Sequence, residues 1–342
     1  MTLRSLLGIE LPVIQAPMAG AQGSALAIAV CNAGGLGSLP CAMLSPDALR
    51  SELAAIRAAT RRPYNVNFFC HKAPTPSKER DAAWRAALAP YYEEYGVDPK
   101  TAIGGPVRAP FTAEAAHVLA EFRPAVISFH FGLPDEPLLA MAKELGARIV
   151  SSATTVEEAR WLEAHGADAI IAQGMEAGGH RGNFLARDME SQLGTFALLP
   201  QVVRAVKVPV IAAGGIADAK GVAAAMALGA AGVQVGTAYL LCPEASTSAV
   251  HRAALRSEAA SRTAVTNVFS GGPARGIVNR AITGLGPMSD VAPDFPLASI
   301  AMAPLRSKAE SEGRGDFSPL WCGQNPSGCR EIGAGELTRS LI

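Results

Sequence analysis

Ala169-Ile-Ile-Ala-Gln-Gly-Met-Glu-Ala-Gly-Gly-His-Arg-Gly182 carries an apolar run straight into a glycine-rich loop. Ala169–Ala172 reads as a short strand buried on both faces, because it shows no polar alternation. The residues that follow are not those of a hairpin turn. Gly178 and Gly179 lack a Cβ, so the backbone there can take positive φ and come close to a flat ligand. His180 is the one side chain of the stretch that exchanges a proton near neutral pH. A strand opening into a glycine loop with a base at its rim is the local pattern of a cofactor platform. Taken alone, His180 also reads as an ordinary loop histidine.

Moving outward, the same kind of strand recurs. Pro12–Met18, Gly34–Pro40, Tyr64–Phe69, Ala125–Phe129 and Arg148–Ser152 precede it, and Pro209–Ala213 and Gly232–Val235 follow. Helical spacing fills most intervals, at 24–33, 46–59, 112–122, 135–145, 155–165, 195–206 and 218–228. Ser45-Pro46 is a natural N-cap and first turn for the second of these. Eight apolar strands with alternating helices fit a (β/α)8 TIM barrel over residues 1–260. A doubly wound open sheet is the alternative, but no G-x-G-x-x-G follows the first strand. Residues 70–110 break the rhythm and read as an insertion after strand 3, with a helix near Lys78–Leu88. Residues 261–342 read as a C-terminal extension covering the barrel mouth, with one clear helix near 298–312.

Composition excludes several function classes. Of 342 residues, 49% are hydrophobic, enough for a sizeable core, and only 18% are charged, too few for extensive disorder. Lys+Arg and Asp+Glu balance at 30 each, so no polyanion such as nucleic acid is expected as a partner. No apolar run is long enough for a membrane span, and the first residues lack a signal-peptide core. Cys31, Cys41, Cys70, Cys242, Cys322 and Cys329 show no C-x-x-C spacing, so reduced thiols in a cytoplasmic protein are expected. The sequence sets no oligomeric state.

In a barrel the C-terminal ends of the strands converge on one face. That face would hold Gln15 to Met18, Asn67, His130, Gln173, Gly178 to His180, Gly214-Gly215 and Gln234 to Thr237. Ala213-Gly-Gly-Ile216 and Gln234-Val-Gly-Thr237 end the last two strands, where backbone N–H groups make a phosphate site. Plain tight turns are the blander reading. Asn67 and Gln173 are neutral amides that suit the mixed donor and acceptor edge of a flavin ring, or else satisfy nearby backbone. His130 and His180 have no metal-ligand spacing, and no G-x-S-x-G accompanies them. His180 is therefore a candidate base or polar stabiliser, with no metal implied.

Gln15-Ala-Pro-Met18, Asn65-Val-Asn-Phe68, Ser128-Phe-His-Phe-Gly132, Ala172–Gly182, Ala212–Ile216 and Gln234–Thr237 together resemble the nitronate monooxygenases, formerly called 2-nitropropane dioxygenases. The likeness extends to Asn279-Arg280 and Ala303-Pro-Leu-Arg306. It implies an FMN-dependent TIM barrel that oxidises alkyl nitronates or nitroalkanes with O2 to a carbonyl compound and nitrite, without NAD(P)H. Propionate 3-nitronate is the implied biological substrate. The resemblance puts the Met18 backbone, Asn67, Gln173 and Gly178 around the flavin ring and ribityl chain. It puts Gly215, Gln234, Val235, Gly236 and Thr237 at the phosphate, and makes His180 the catalytic histidine and His130 a second active-site histidine. The Phe295-Pro296 stretch is a candidate lining of the substrate pocket. FMN-dependent enoyl-acyl-carrier-protein reductases and NADH:quinone reductases share the barrel and a similar Glu-Ala-Gly-Gly-His motif. Those relatives tend to have Glu at the position of Gln173. Gln173 and Ser128-Phe-His-Phe131 favour the nitronate enzyme over an NAD(P)H-dependent flavin reductase.

Overall fold

A computed structural model of the chain describes residues 2–101 and 108–342. Within the insertion expected near 70–110, positions 102–107 lie outside the described residues.

Short runs of apolar and β-branched residues form the strands. In chain order these are β1 (Val13–Gln15), β2 (Ser38–Pro40), β3 (Asn65–Phe69), β4 (Val126–His130), β5 (Arg148–Ala153) and β6 (Ala169–Gln173). A two-residue strand β7 (Gly179–His180) follows, then β8 (Val210–Ala213), β9 (Gly232–Val235), β10 (Thr263–Thr266) and β11 (Ala274–Ile277). Eight of them form one parallel sheet in the order β1-β9-β8-β6-β5-β4-β3-β2. Leu36, just ahead of β2, bridges in parallel to Ile14 of β1. Its N–H donates to Val13 O, and the Gln15 N–H donates to its carbonyl, both at 2.9 Å. The sheet therefore closes on itself, and the chain is a (β/α)8 barrel.

The barrel interior is layered. Ile14, Leu36, Val126, Val150, Ile171 and Ile211 fill its N-terminal half, and Leu3 and Leu7 of the opening helix Leu3–Leu7 join them from below. Nearer the C-terminal ends the inward side chains are polar, and they hydrogen-bond one another. Ser128 Oγ accepts from Asn65 Nδ2 and Asn67 Nδ2, each at 2.9 Å. Gln15 Oε1 accepts from the Ser38 N–H at 3.0 Å. Two further apolar clusters lie between strands and surrounding helices. The apolar layer carries stability, and the polar layer forms the floor of a cavity at the strand ends.

Two expectations from sequence are corrected by packing. The helix read as Lys78–Leu88 runs to Tyr95, through Pro90. Trp84, Leu88, Tyr92 and Tyr95 form one buried stripe on it. Trp84 Nε1 donates to Ala298 O at 3.1 Å and the Tyr92 hydroxyl to Ala301 O at 2.5 Å, so tertiary contacts outweigh the bond that proline removes. The segment after residue 260 holds more than the one helix Ala298–Ser311. It adds Arg280–Leu285, Ala334–Ser340 and the strands β10 and β11. β11 pairs antiparallel with both β10 and β7, so the loop read after Gln173 is itself the edge of a small sheet.

Candidate active site

The strand ends and the later segment enclose one cavity, lined by Met18, Asn67, His130, Gln173, Gly178 to His180, Gly215, Gln234, Gly236 and Thr237. All the expected site residues except Val235 reach it. Val235 is buried in the apolar cluster outside the barrel, and its carbonyl accepts from the Ala16 N–H at 2.8 Å.

His180 is placed from two directions. Gly179 and His180 pair with Arg275 and Ala274, which fixes the backbone. Its Nε2 lies 2.8 Å from Ser270 Oγ, while Nδ1 has no partner among the described residues. The ring sits among aromatics, with centroids 4.9 Å from Phe295 and 5.3 Å from Trp321. Burial holds its pKa well below the ordinary imidazole range, and the charge of Arg108 and the nearby His130 and His71 push the same way. His180 is therefore neutral at physiological pH.

His130 is fully committed. Its Nε2 lies 3.2 Å from the His180 carbonyl, which can only accept, so that nitrogen carries the proton. Its Nδ1, 2.5 Å from Ser152 Oγ, is then the acceptor of the serine hydroxyl. Burial lowers its pKa to about 4. The next residue, Phe131, has φ of 68°, at a cost of about 1–2 kcal/mol for a residue with a Cβ, and its ring packs 4.6 Å from that of His130.

Gln173 and Asn67 divide between the two readings of an amide. Gln173 Nε2 donates to the His180 carbonyl at 3.0 Å, and its Oε1 accepts from the Gly182 N–H at 2.8 Å. Both ends of this amide brace the histidine loop. Asn67 uses Nδ2 on Ser128, but nothing among the described residues donates to its Oδ1. The Met18 N–H is likewise taken, by Gln22 Oε1 at 3.0 Å.

Arg181 stands behind this loop with no solvent exposure, 0%. Its guanidinium donates to Gly174 O at 2.6 Å, Gln173 O at 2.8 Å and twice to Gln192 Oε1. Gln192 Nε2 passes the network to Thr154 Oγ1 at 2.9 Å, and Thr154 donates to Glu158 Oε2 at 2.8 Å. Glu158 Oε1 accepts from the Phe184 N–H at 2.6 Å. A buried, satisfied polar chain thus holds residues 173–185 from beneath.

The far end of the cavity presents backbone. Gly215 has φ of 73°, and the N–H groups of Gly215, Gly236 and Thr237 find no acceptor among the described residues. Gly236 and Thr237 open the short 3-10 helix Thr237–Leu241. Free N–H groups at strand-end turns suit a phosphate. Gly179, at φ 76°, has nothing within 4 Å where a Cβ would project. Gly178 has the opposite surroundings, since a Cβ there would lie 2.6 Å from the Cys322–Gly323 backbone. An open glycine wall, an amide oxygen without a donor and a cluster of free N–H groups fit a flat phosphorylated cofactor.

Several residues of the site carried no local signal in the sequence. Ser270 and Trp321 come from the segment after residue 260, and Arg108 borders the stretch after β3. Ser152 was the readable one, as a hydroxyl at the C-terminal end of an apolar strand.

The buried histidines make stability pH-dependent. His130 and His251 are each held near 4 by burial, and His180 lies well below 6.5. The unfolded chain protonates all three below about pH 6.5, the folded protein does not. The unfolded state then binds more protons, so stability is kept above about 6.5 and lost as pH falls toward about 4. The slope is about 1.4 kcal/mol per pH unit per histidine. Urea midpoints measured across that window should drop; a flat profile would show the three rings protonating freely in the folded state.

The closed (β/α)8 barrel, with free N–H groups at its last strand ends and a neutral imidazole in the same cavity, has the layout of an enzyme that holds a phosphorylated cofactor. The family model for nitronate monooxygenase matches residues 1–342. A nitronate monooxygenase of Paraburkholderia phytofirmans is 43% identical over 99% of this chain and 93% of that protein. One of Pseudomonas aeruginosa is 42% identical over 98% and 97%. Among solved structures, nitroalkane oxidase from Streptomyces ansochromogenes superposes with a TM-score of 0.88 at 39% identity, covering 99% of this chain and 96% of that one. FabK from Thermotoga maritima is more distant, with a TM-score of 0.74 and 28% identity over 100% and 94%. The chain belongs to the nitronate monooxygenase family.

Proposed function

We propose that the protein uses FMN to oxidise propionate 3-nitronate with O2, giving a carbonyl compound and nitrite, and needs no NAD(P)H. The observation that carries this reading is the pairing of a neutral His180 with Arg108 in one cavity. Arg108 makes no ion pair among the described residues. A cation without a counter-ion, half-buried beside an uncharged imidazole, favours an anionic ligand over a neutral one.

When bound, the flavin supplies the electron chemistry. The residues that would hold it are Gly215, Gly236 and Thr237 through their N–H groups at the phosphate, and Asn67 Oδ1 with the Gly178-Gly179 wall at the ring. Gln234 lines the same cavity and has no side-chain hydrogen bond among the described residues. The remaining side chains bind and orient the substrate. Arg108 draws in the negative charge. Phe69, Phe131 and Phe295 exclude water around His180. His130 and Gln173 both donate to the His180 carbonyl, so they position the histidine and do not themselves move a proton to substrate. His180 stabilises the nitronate, or accepts the carbon-bound proton of a neutral nitroalkane. Residues 261–342 serve as the cover that brings Ser270 and Trp321 against that ring.

Anaerobic stopped-flow absorbance tests the reading. Mixing the yellow protein with propionate 3-nitronate should bleach the flavin bands rapidly, and mixing with NADH should not. Bleaching by NADH with nitronate inert would overturn it and return the reductase reading.

A further inference from the structure

The same cavity has a second polar pair that the proposed chemistry does not use. Thr247 and His251 line it and are 7% and 8% exposed. Thr247 Oγ1 and His251 Nε2 are buried with no hydrogen-bond partner among the described residues. Unpaired buried polar atoms are costly and uncommon, so two on one cavity wall call for a ligand atom.

The pair is held rigidly. The Arg252 guanidinium donates to four carbonyls of its loop, Leu241 at 2.9 Å, Cys242 and Ala245 at 2.8 Å each, and Thr247 at 3.2 Å. Ser248 caps the helix Ala249–Arg256, its Oγ accepting from the His251 N–H at 3.4 Å. These bonds fix the backbone that carries both side chains.

The surroundings decide the ligand's chemistry. Leu240, Leu320 and Ala21 make the adjoining wall apolar. Arg306, also on the cavity, is paired with Glu310 at 2.8 Å, and Glu310 in turn accepts from Ser318 Oγ at 2.7 Å. That group is close to neutral overall. Burial lowers the His251 pKa to about 4 against a backbone hydrogen bond to Trp321, so the ring is uncharged and offers no charge to hold a carboxylate. A ligand hydroxyl both donates and accepts, so one such group can meet an imidazole nitrogen and a threonine hydroxyl at once.

We propose that Thr247 and His251 seat an aliphatic hydroxyl of a bound ligand, donating to His251 Nε2 and accepting from Thr247 Oγ1. The hydroxyl has two candidate sources, a hydroxylated nitro substrate and the ribityl chain of the flavin. The assignment rests on reading the cavity as a flavin and nitronate site.

The test uses the nitronates of 2-nitroethanol and 1-nitropropane, which differ by hydroxyl against methyl. The holoenzyme is compared with Thr247→Val, which keeps the shape, and with Thr247→Ala, which adds no bulk. Flavin affinity is read separately, from the fluorescence released when each holoprotein is diluted. If the substrate supplies the hydroxyl, the wild type favours the 2-nitroethanol nitronate in kcat/KM. Both variants then cut that preference about tenfold, with flavin affinity kept, and Thr247→Ser restores it. If the ribityl chain supplies it, flavin affinity falls about tenfold and the preference does not move. No change in either quantity would overturn the proposal and leave the pair to water. A wild type inert to both nitronates would sink the proposed function, and the flavin arm alone would then decide the hydroxyl site.

Discussion

Substituting His180 with asparagine lowers kcat/KM for a neutral nitroalkane by about 10²–10⁴-fold, and for the matching preformed nitronate by at most about tenfold. The asymmetry follows from what the ring can do. A neutral nitroalkane must lose a carbon-bound proton, and His180, unlike His130, keeps a ring nitrogen that is not bonded to protein among the described residues. Asparagine cannot accept that proton, but its N–H can still donate to a nitronate oxygen. Burial and the charge of Arg108 hold His180 well below its ordinary pKa, so it is also a weak base. The wild-type protein should therefore turn over nitronates faster than the parent nitroalkanes at the same pH. The variant should stay yellow, because the residues proposed to hold the flavin are elsewhere. Equal losses on both substrates would show that His180 orders the cavity and does not act as a base.

The barrel was legible because its signal is local and repeated. Each strand is a run of apolar residues with a helix on either side, and a frame built on eight such units tolerates boundary errors of one or two residues. The boundaries drifted where flanking residues were uninformative. Pro12–Met18 shortened to Val13–Gln15 because Ala16 makes the last bond to the neighbouring strand, to Val235 O, and Pro17 has no N–H to continue the ladder. The small sheet was not legible. Gly179 and His180 have no strand propensity of their own, and they pair only because Ala274 and Arg275, far along the chain, lie alongside. The same limit hid Ser270. Pro90 misled in the other direction, since local chemistry ends a helix that the stripe of Trp84, Leu88, Tyr92 and Tyr95 keeps intact. Within the site, residue types were readable but their commitments were not. Gln173 and Asn67 look alike in sequence, yet one braces the loop and the other keeps an oxygen free.

Replacing Arg181 with methionine should cost about 3–5 kcal/mol of stability and most of the activity, although Arg181 does not line the cavity. Methionine fills much of the same volume, so the loss measures hydrogen bonding and not a void. The substitution strips donors from Gln173 O, Gly174 O and Gln192 Oε1, all on buried residues. Burial lowers the Arg181 pKa to about 10, which still leaves it charged at neutral pH, with Glu176 and Glu158 favouring the charge. Removing it leaves those carboxylates less compensated. The loop from Gln173 to Leu185 then loses its floor, and His180 loses the geometry that Gln173 and His130 impose through its carbonyl. Lysine at the same position supplies one ammonium in place of a planar fork, and cannot reach all three acceptors at once. It should fall between the two. Urea unfolding at saturating flavin gives the stability change, since flavin release by itself shifts the midpoint. The His180 site gives the second readout: kcat for propionate 3-nitronate should fall with stability in the order arginine, lysine, methionine. A methionine variant within about 1 kcal/mol of wild type would mean that pairing with β11 alone holds the histidine loop.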